Sequence, residues 1–140
     1  MFFYREPLKV KWANLCSASV LNNHTLMTAA HCLRDHQENF KILLGQADIN
    51  SETTSFYRQE LNIDKVVLHP FYDNKTAYFD IGLIYTKEEI KFTEAVNPLC
   101  ISDLTKQGSD FLESKAVQLA GWGHQVQEED ERDHYRLALR

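Results

Sequence analysis

No stretch of this chain approaches the ~18 consecutive apolar residues that a membrane-spanning helix requires. Positive charge is equally short: the formal net charge is −5 at pH 7. The first absence argues against a membrane partner, and the second leaves no basic surplus for nucleic acid to engage. The opening Met1-Phe2-Phe3-Tyr4-Arg5-Glu6-Pro7 lacks an apolar core long enough for a signal peptide, so the sequence carries no export address of its own. Internal repeats and low-complexity tracts are also missing. Cysteine is scarce and odd in number, with three in 140 residues, so one of them needs a partner elsewhere. Cys100, far from the other two, is the odd one out.

What remains is a globular composition, 44% hydrophobic and 25% charged, long enough for about one domain. Its patterning is that of strands. Leu8, Val10 and Trp12 alternate with Lys9 and Lys11, the period of a strand with one buried face. Residues 15–21 and 25–30 flank Asn22-Asn23-His24, and asparagine tolerates the positive φ of a tight hairpin turn. Further short runs at 40–44, 55–63, 65–68 and 80–85 are separated by turn-rich segments, which predicts an all-β barrel or sandwich. Residues 32–39 read as a helical turn or loop, and 98–115 as a polar connector. Residues 116–120 resume a strand pattern, whereas the charged stretch from Gln125 to Arg140 holds too little apolar surface to order itself.

Two residues stand out chemically. His31 lies beside Cys32 after the small residues Ala29 and Ala30, which allow close strand approach, and Thr28 can spend its hydroxyl on the backbone. Asp80 begins the apolar run Ile81-Gly82-Leu83-Ile84, where a partly desolvated carboxylate needs a donor. Residue types alone leave both open: His31 also reads as an ordinary histidine, and Asp80 as a carboxylate capping its own turn. Cys16, His31, Cys32 and His36 are of metal-ligand type, but their spacing fits no zinc pattern. His24, His69, His124 and His134 show no partners in the sequence and read as solvated or packing residues. Asn23-His24-Thr25 and Asn74-Lys75-Thr76 are glycosylation sequons in turn-like contexts, which leans towards secretion.

Taken together, Cys16-Ser17-Ala18-Ser19, Thr28-Ala29-Ala30-His31-Cys32, Asp80-Ile81-Gly82-Leu83 and Gly121-Trp122-Gly123 resemble the signatures of the trypsin-like (chymotrypsin-fold, peptidase S1) serine proteases. Phe40 to Gly45, Val66 to Pro70 and Val96 to Cys100 extend the likeness over nearly the whole chain, but over only about the first half of a family domain. The resemblance implies an antiparallel β-barrel for residues 1–98, an interdomain linker over 99–115, and the first strand of a second barrel plus a charged tail over 116–140. It implies a Cys16–Cys32 disulfide, worth about 3 kcal/mol for a loop of ~15 residues. It makes His31 the general base and Asp80 its orienting carboxylate in a Ser-His-Asp triad.

The same likeness marks what is missing. Ser17, Ser19, Ser51, Ser55, Ser102, Ser109 and Ser114 all lack the Gly-Asp-Ser-Gly-Gly setting of the family nucleophile, and Gly108-Ser109-Asp110 falls before Gly-Trp-Gly rather than after it. No Ile-Val-Gly-Gly activation terminus precedes Pro7. The expectation is a fragment of a secreted serine endopeptidase, inactive as it stands. The alternative is a non-catalytic homologue that binds a protein partner. No cofactor or metal is expected: Gln46 stands where calcium-binding relatives carry glutamate, and no second acidic ligand accompanies it. Cys100, in the context Pro98-Leu99-Cys100, resembles the cysteine that tethers such domains to an upstream chain in multidomain clotting or immune-cascade zymogens. The implied partners are a protein substrate or protein ligand, in an extracellular setting.

Overall fold

The computed structural model describes residues 2–5, 13–34, 40–48, 55–101, 120–122 and 138–139. The chain forms two compact units, Met1–Gln46 with Thr53–Leu99, and Ala47–Glu52 with Cys100–Arg140. Among the described residues of the first unit the strands are β1 (Phe2–Arg5), β2 (Ala13–Ser17), β3 (Ser19–Val20), β4 (Thr25–Thr28), β5 (Phe40–Leu44), β6 (Gln59–Leu68) and β7 (Gly82–Thr86), with one 3-10 turn at Ala30–Leu33. They form a seven-stranded sheet in the order β2-β1-β5-β6-β7-β4-β3. Every pairing is antiparallel. The end strands β2 and β3 are separated in the chain only by Ala18, so the two edges of the sheet belong to one continuous stretch. A sheet whose edges are shared in this way is a barrel, which removes the unpaired edge that an open sheet exposes. The all-β, chymotrypsin-like antiparallel barrel read from the sequence is therefore the observed architecture.

The core follows from the alternation. β7 buries Gly82, Ile84 and Thr86 and leaves Leu83 and Tyr85 partly exposed, as a strand with one inward face should. β5 contributes Phe40, Ile42 and Leu44 to the same cluster as Val20, Leu26, Leu33, Leu61, Ile84, Ile90 and Val96. The hairpin about Asn22-Asn23-His24 pairs Ser19 with Met27 and Val20 with Leu26. It is closed by the amides of Leu21 and Asn22 on the Thr25 carbonyl, at 2.9 and 3.3 Å.

Some elements differ from the sequence reading. The runs at 55–63 and 65–68 make one strand: Ser55 to Arg58 is a turn, closed by Arg58 N–H on the Ser55 carbonyl at 3.0 Å, and β6 then continues past exposed Asp64 because the ladder to β7 shifts register between Ile63 and Lys65. A β-bulge of this kind absorbs an awkward residue without ending the strand. The alternation at Leu8 to Trp12 lies outside the described residues, and the first strand described is Phe2–Arg5. In the second unit, β8 (Ala120–Gly121) pairs with β9 (Ala138–Leu139), so the end of the charged stretch does contribute backbone to a ladder. The strand falls on the apolar pair Ala138–Leu139, beyond the acidic run that obscures it. Trp122 Nε1 donates to the Ala47 carbonyl at 2.8 Å within the same unit.

Gly45 ends β5 with φ +70°, and a Cβ there would stand 2.1 Å from the Tyr57 carbonyl oxygen. Both the left-handed backbone and the backbone neighbour exclude a side chain. Gly45→Ala is expected to destabilise the fold by about 2–6 kcal/mol, the sum of left-handed strain and overpacking. Gly121→Ala, with nothing within 4 Å of the added atom, should change stability by less than about 0.5 kcal/mol. Urea unfolding of the two variants checks the contrast, and equal losses would refute it.

Candidate active site

Two elements bring the chemistry together. The β4 strand ends at Thr28, whose hydroxyl donates to the Ser17 carbonyl at 2.7 Å and so ties β4 to the end of β2. The chain then turns through Ala29 into the 3-10 turn that carries His31 and Cys32 and buries Ala30 and Leu33. Gly82 lets that turn lie close: a Cβ on Gly82 would sit 2.7 Å from Leu33 Cδ1 and 3.6 Å from Ala30 Cα. Asp80, two residues before Gly82 in the chain, is thereby delivered to His31.

The contact is a double one. The backbone N–H of His31 donates to Asp80 Oδ1 at 2.8 Å, and His31 Nδ1 lies 2.6 Å from Asp80 Oδ2. An ionised carboxylate only accepts, so Nδ1 carries the proton and Nε2 of the neutral ring holds the lone pair. The His31 side chain is 54% exposed and Asp80 23%. The pair thus faces water on the histidine side while the carboxylate is sheltered. Asp80 is held below the usual carboxylate range, first by the His31 side-chain hydrogen bond and then by the His31 backbone N–H, against a smaller opposing effect of burial.

Cys16 and Cys32 form a disulfide with a Cα separation of 6.2 Å, and Cys32 Sγ lies 3.4 Å from His31 Nε2. Among the described residues, Cys16, His31 and Cys32 are the group whose ligand-type atoms come within 4.8 Å of one another. Their sulfurs are joined to each other, and a disulfide offers no thiolate to a metal. His36 lies outside the described residues. Gln46 is buried and accepts the Ser55 N–H at 2.9 Å, a structural use of its amide.

The remaining sequence-selected residues take no part in these contacts. Asn23 and Asn74 are both exposed; Asn23 Nδ2 donates to Glu89 Oε1 at 2.8 Å, and Asn74 Oδ1 accepts from Arg34. Cys100 is exposed and free. Two histidines read as partnerless have partners: His24 Nδ1 lies 3.3 Å from the Thr86 carbonyl, and His69 stacks on Phe79, the residue before Asp80. Nothing in the spacing of His69 and Phe79 announces that contact, because it depends on an irregular loop rather than on strand periodicity.

The family model described as "Trypsin" matches residues 4–138. Clotting factor G beta subunit of Tachypleus tridentatus is 32% identical over 114 residues, 78% of this chain and 35% of that protein. Venom serine protease 34 of Apis mellifera is 33% identical over 118 residues, covering 79% and 28%. Inactive serine protease PAMR1 of Bos taurus is 27% identical over 121 residues, covering 81% and 17%. The chain thus spans about a third or less of the length of these relatives. A solved chain described as "Structure of GrC" shares the fold, with a TM-score of 0.69 at 20% identity over 99% of this chain and 57% of that one.

A carboxyl whose pKa is lower in the folded than in the unfolded chain stabilises the fold while ionised. That contribution is lost as pH falls from the ordinary value of 3.8 through the lower folded value. Stability should therefore decline below about pH 4, and Asp80→Asn should flatten the decline. Urea-unfolding midpoints measured down the acid range test this; identical slopes for the two chains would exclude the His31 bonds as its cause.

Proposed function

Because this chain belongs to the trypsin family, we propose that it supplies the acid-base half of a serine endopeptidase site, with His31 as general base and Asp80 as the carboxylate that orients it. The double hydrogen bond from His31 to Asp80 carries this reading. With Nδ1–H given to Asp80, Nε2 is left to take the proton of a serine hydroxyl as its oxygen attacks the scissile carbonyl, and the resulting imidazolium returns that proton to the leaving amine. Asp80 stays ionised throughout and stabilises the imidazolium. Without a Gly-Asp-Ser-Gly-Gly segment, the 140 residues lack the nucleophile and the oxyanion-hole amides that flank it, so the chain by itself is proposed to be inert towards peptides.

The Cys16–Cys32 disulfide and the two exposed sequon asparagines, Asn23 and Asn74, support an extracellular, glycosylated protein. Exposed Cys100 supports a disulfide tether to an upstream chain. The similarity to inactive serine protease PAMR1 favours one second reading, a non-catalytic domain whose barrel surface binds a protein.

Chromogenic peptide assays and labelling with a fluorophosphonate separate these readings. The 140-residue chain should neither label nor hydrolyse. A longer product that carries both the family serine and a processed activation terminus should do both, and should lose about 10⁴-fold in kcat on Asp80→Asn, the scale of losing a triad carboxylate. A serine-bearing product that stays inert would overturn the catalytic reading, and labelling of the 140-residue chain would overturn both readings.

A further inference from the structure

The loop that delivers Asp80 carries the two non-glycine residues with positive φ among the described residues, Ala77 at 57° and Phe79 at 54°. A left-handed conformation is unfavourable for any residue with a Cβ and rare for a bulky aromatic, so something must hold Phe79 there. The peptide after it is pinned tightly: the Ile81 N–H donates to the Phe79 carbonyl at 2.7 Å, closing a three-residue turn with Asp80 at its centre. Asp80 therefore takes its direction from the Phe79 backbone.

What holds Phe79 is visible on its side chain. Its ring stacks face to face on His69, with centroids 4.7 Å apart and planes 6° from parallel. His69 is itself fixed at both ends of the loop: its N–H donates to the Ile81 carbonyl at 3.0 Å, and its Nδ1 accepts the Phe71 N–H at 3.2 Å. Phe71 flanks both rings, at 5.9 Å from His69 and 6.0 Å from Phe79. Yet Phe79 is 55% exposed and Phe71 71% exposed, so burial does not explain why these rings meet.

We propose that Phe79 and His69 are positioning residues for the His31–Asp80 pair: their stack holds Phe79 in the left-handed region, and that backbone aims the Asp80 carboxylate at both His31 donors. The proposal rests on the reading of His31 and Asp80 as the catalytic pair. The two are nevertheless separable, because the stack acts on the tautomer of His31 and catalysis needs a serine as well.

The test is the His31 tautomer, read from the ring nitrogen resonances of the 140-residue chain at a pH where the imidazole is neutral. The wild-type chain should show Nδ1–H, the form that Asp80 enforces. Phe79→Leu and His69→Leu should move His31 towards the Nε2–H form that imidazole adopts without a carboxylate partner. Phe79→Tyr keeps a stacking ring and should retain Nδ1–H. Phe79→Gly should also retain it, because glycine enters the left-handed region without help. Backbone amide spectra of β5 and β7 show whether each variant is folded, and the tyrosine and glycine variants carry the test if a leucine variant is not.

A folded Phe79→Leu chain with wild-type Nδ1–H overturns the proposal, as does loss of Nδ1–H in Phe79→Tyr or Phe79→Gly. In a serine-bearing product, Phe79→Leu should lower kcat by about 100-fold with KM little changed, the scale expected of a misplaced catalytic group. If such a product is inactive even with Phe79 in place, the catalytic reading falls while the tautomer result still decides the positioning one.

Discussion

One ten-residue strand, β6, joins the two parts of the sheet and fixes where everything else can lie. Its first residues pair with β5 and its last with β7, and the register shift between Ile63 and Lys65 is where the pairing changes hands. Because β7 also pairs with β4, the end of the strand that leads to His31 and the start of the strand that follows Asp80 come into register, Thr28 opposite Gly82. The two residues are 49 apart in sequence, yet each lies only a few positions from that pairing. The site is thus a consequence of one pairing register, and slipping it by a single residue would turn the slipped strand's inward side chains outward.

Register alone does not orient a histidine on a short 3-10 turn. That turn is held from two sides: the disulfide anchors Cys32 to the end of β2, and the Asp80 carboxylate anchors His31 through its backbone and its ring. The constraints differ in kind. The disulfide acts mainly by restricting the unfolded chain, whereas the carboxylate chooses among arrangements of the folded one and selects which ring nitrogen keeps its proton.

The strands were legible because alternation reports burial directly. β5 coincides with the apolar run that announces it, and the β3–β4 hairpin falls where its asparagines place it, although Asn22 acts there by accepting the His24 N–H on Oδ1 at 2.9 Å and not by the positive φ expected of it. Motif likeness singled out His31 and Asp80, which the fold then set within hydrogen-bonding distance. What was not legible is the irregular backbone. Asp64 looked like the end of a strand because a bulge has no periodicity of its own. Phe79 carries no turn signal at all, since phenylalanine is among the residues least suited to positive φ, and its stack on His69 joins residues ten apart in sequence. The pairing of Ala138–Leu139 was hidden for another reason: average composition weighs the acidic residues before it and overlooks a short apolar segment able to form a ladder.

The same device recurs at three carboxylates, and comparing them separates structure from chemistry. Asp73 accepts the Lys75 N–H and the Thr76 hydroxyl, Glu88 accepts the Asn62 side-chain amide and N–H, and Asp80 accepts the His31 ring and N–H. Each binds one backbone and one side-chain donor, and each is held below the usual carboxylate range by doing so. All three are hydrogen-bonded staples of the same form. They differ in the side-chain donor. A threonine hydroxyl and an asparagine amide have nothing further to offer once the bond is made. An imidazole does: fixing the proton on Nδ1 leaves a lone pair on Nε2, on a ring more than half exposed to solvent. A staple whose far end is a base is what general base catalysis requires, and among these three only the one at Asp80 has it.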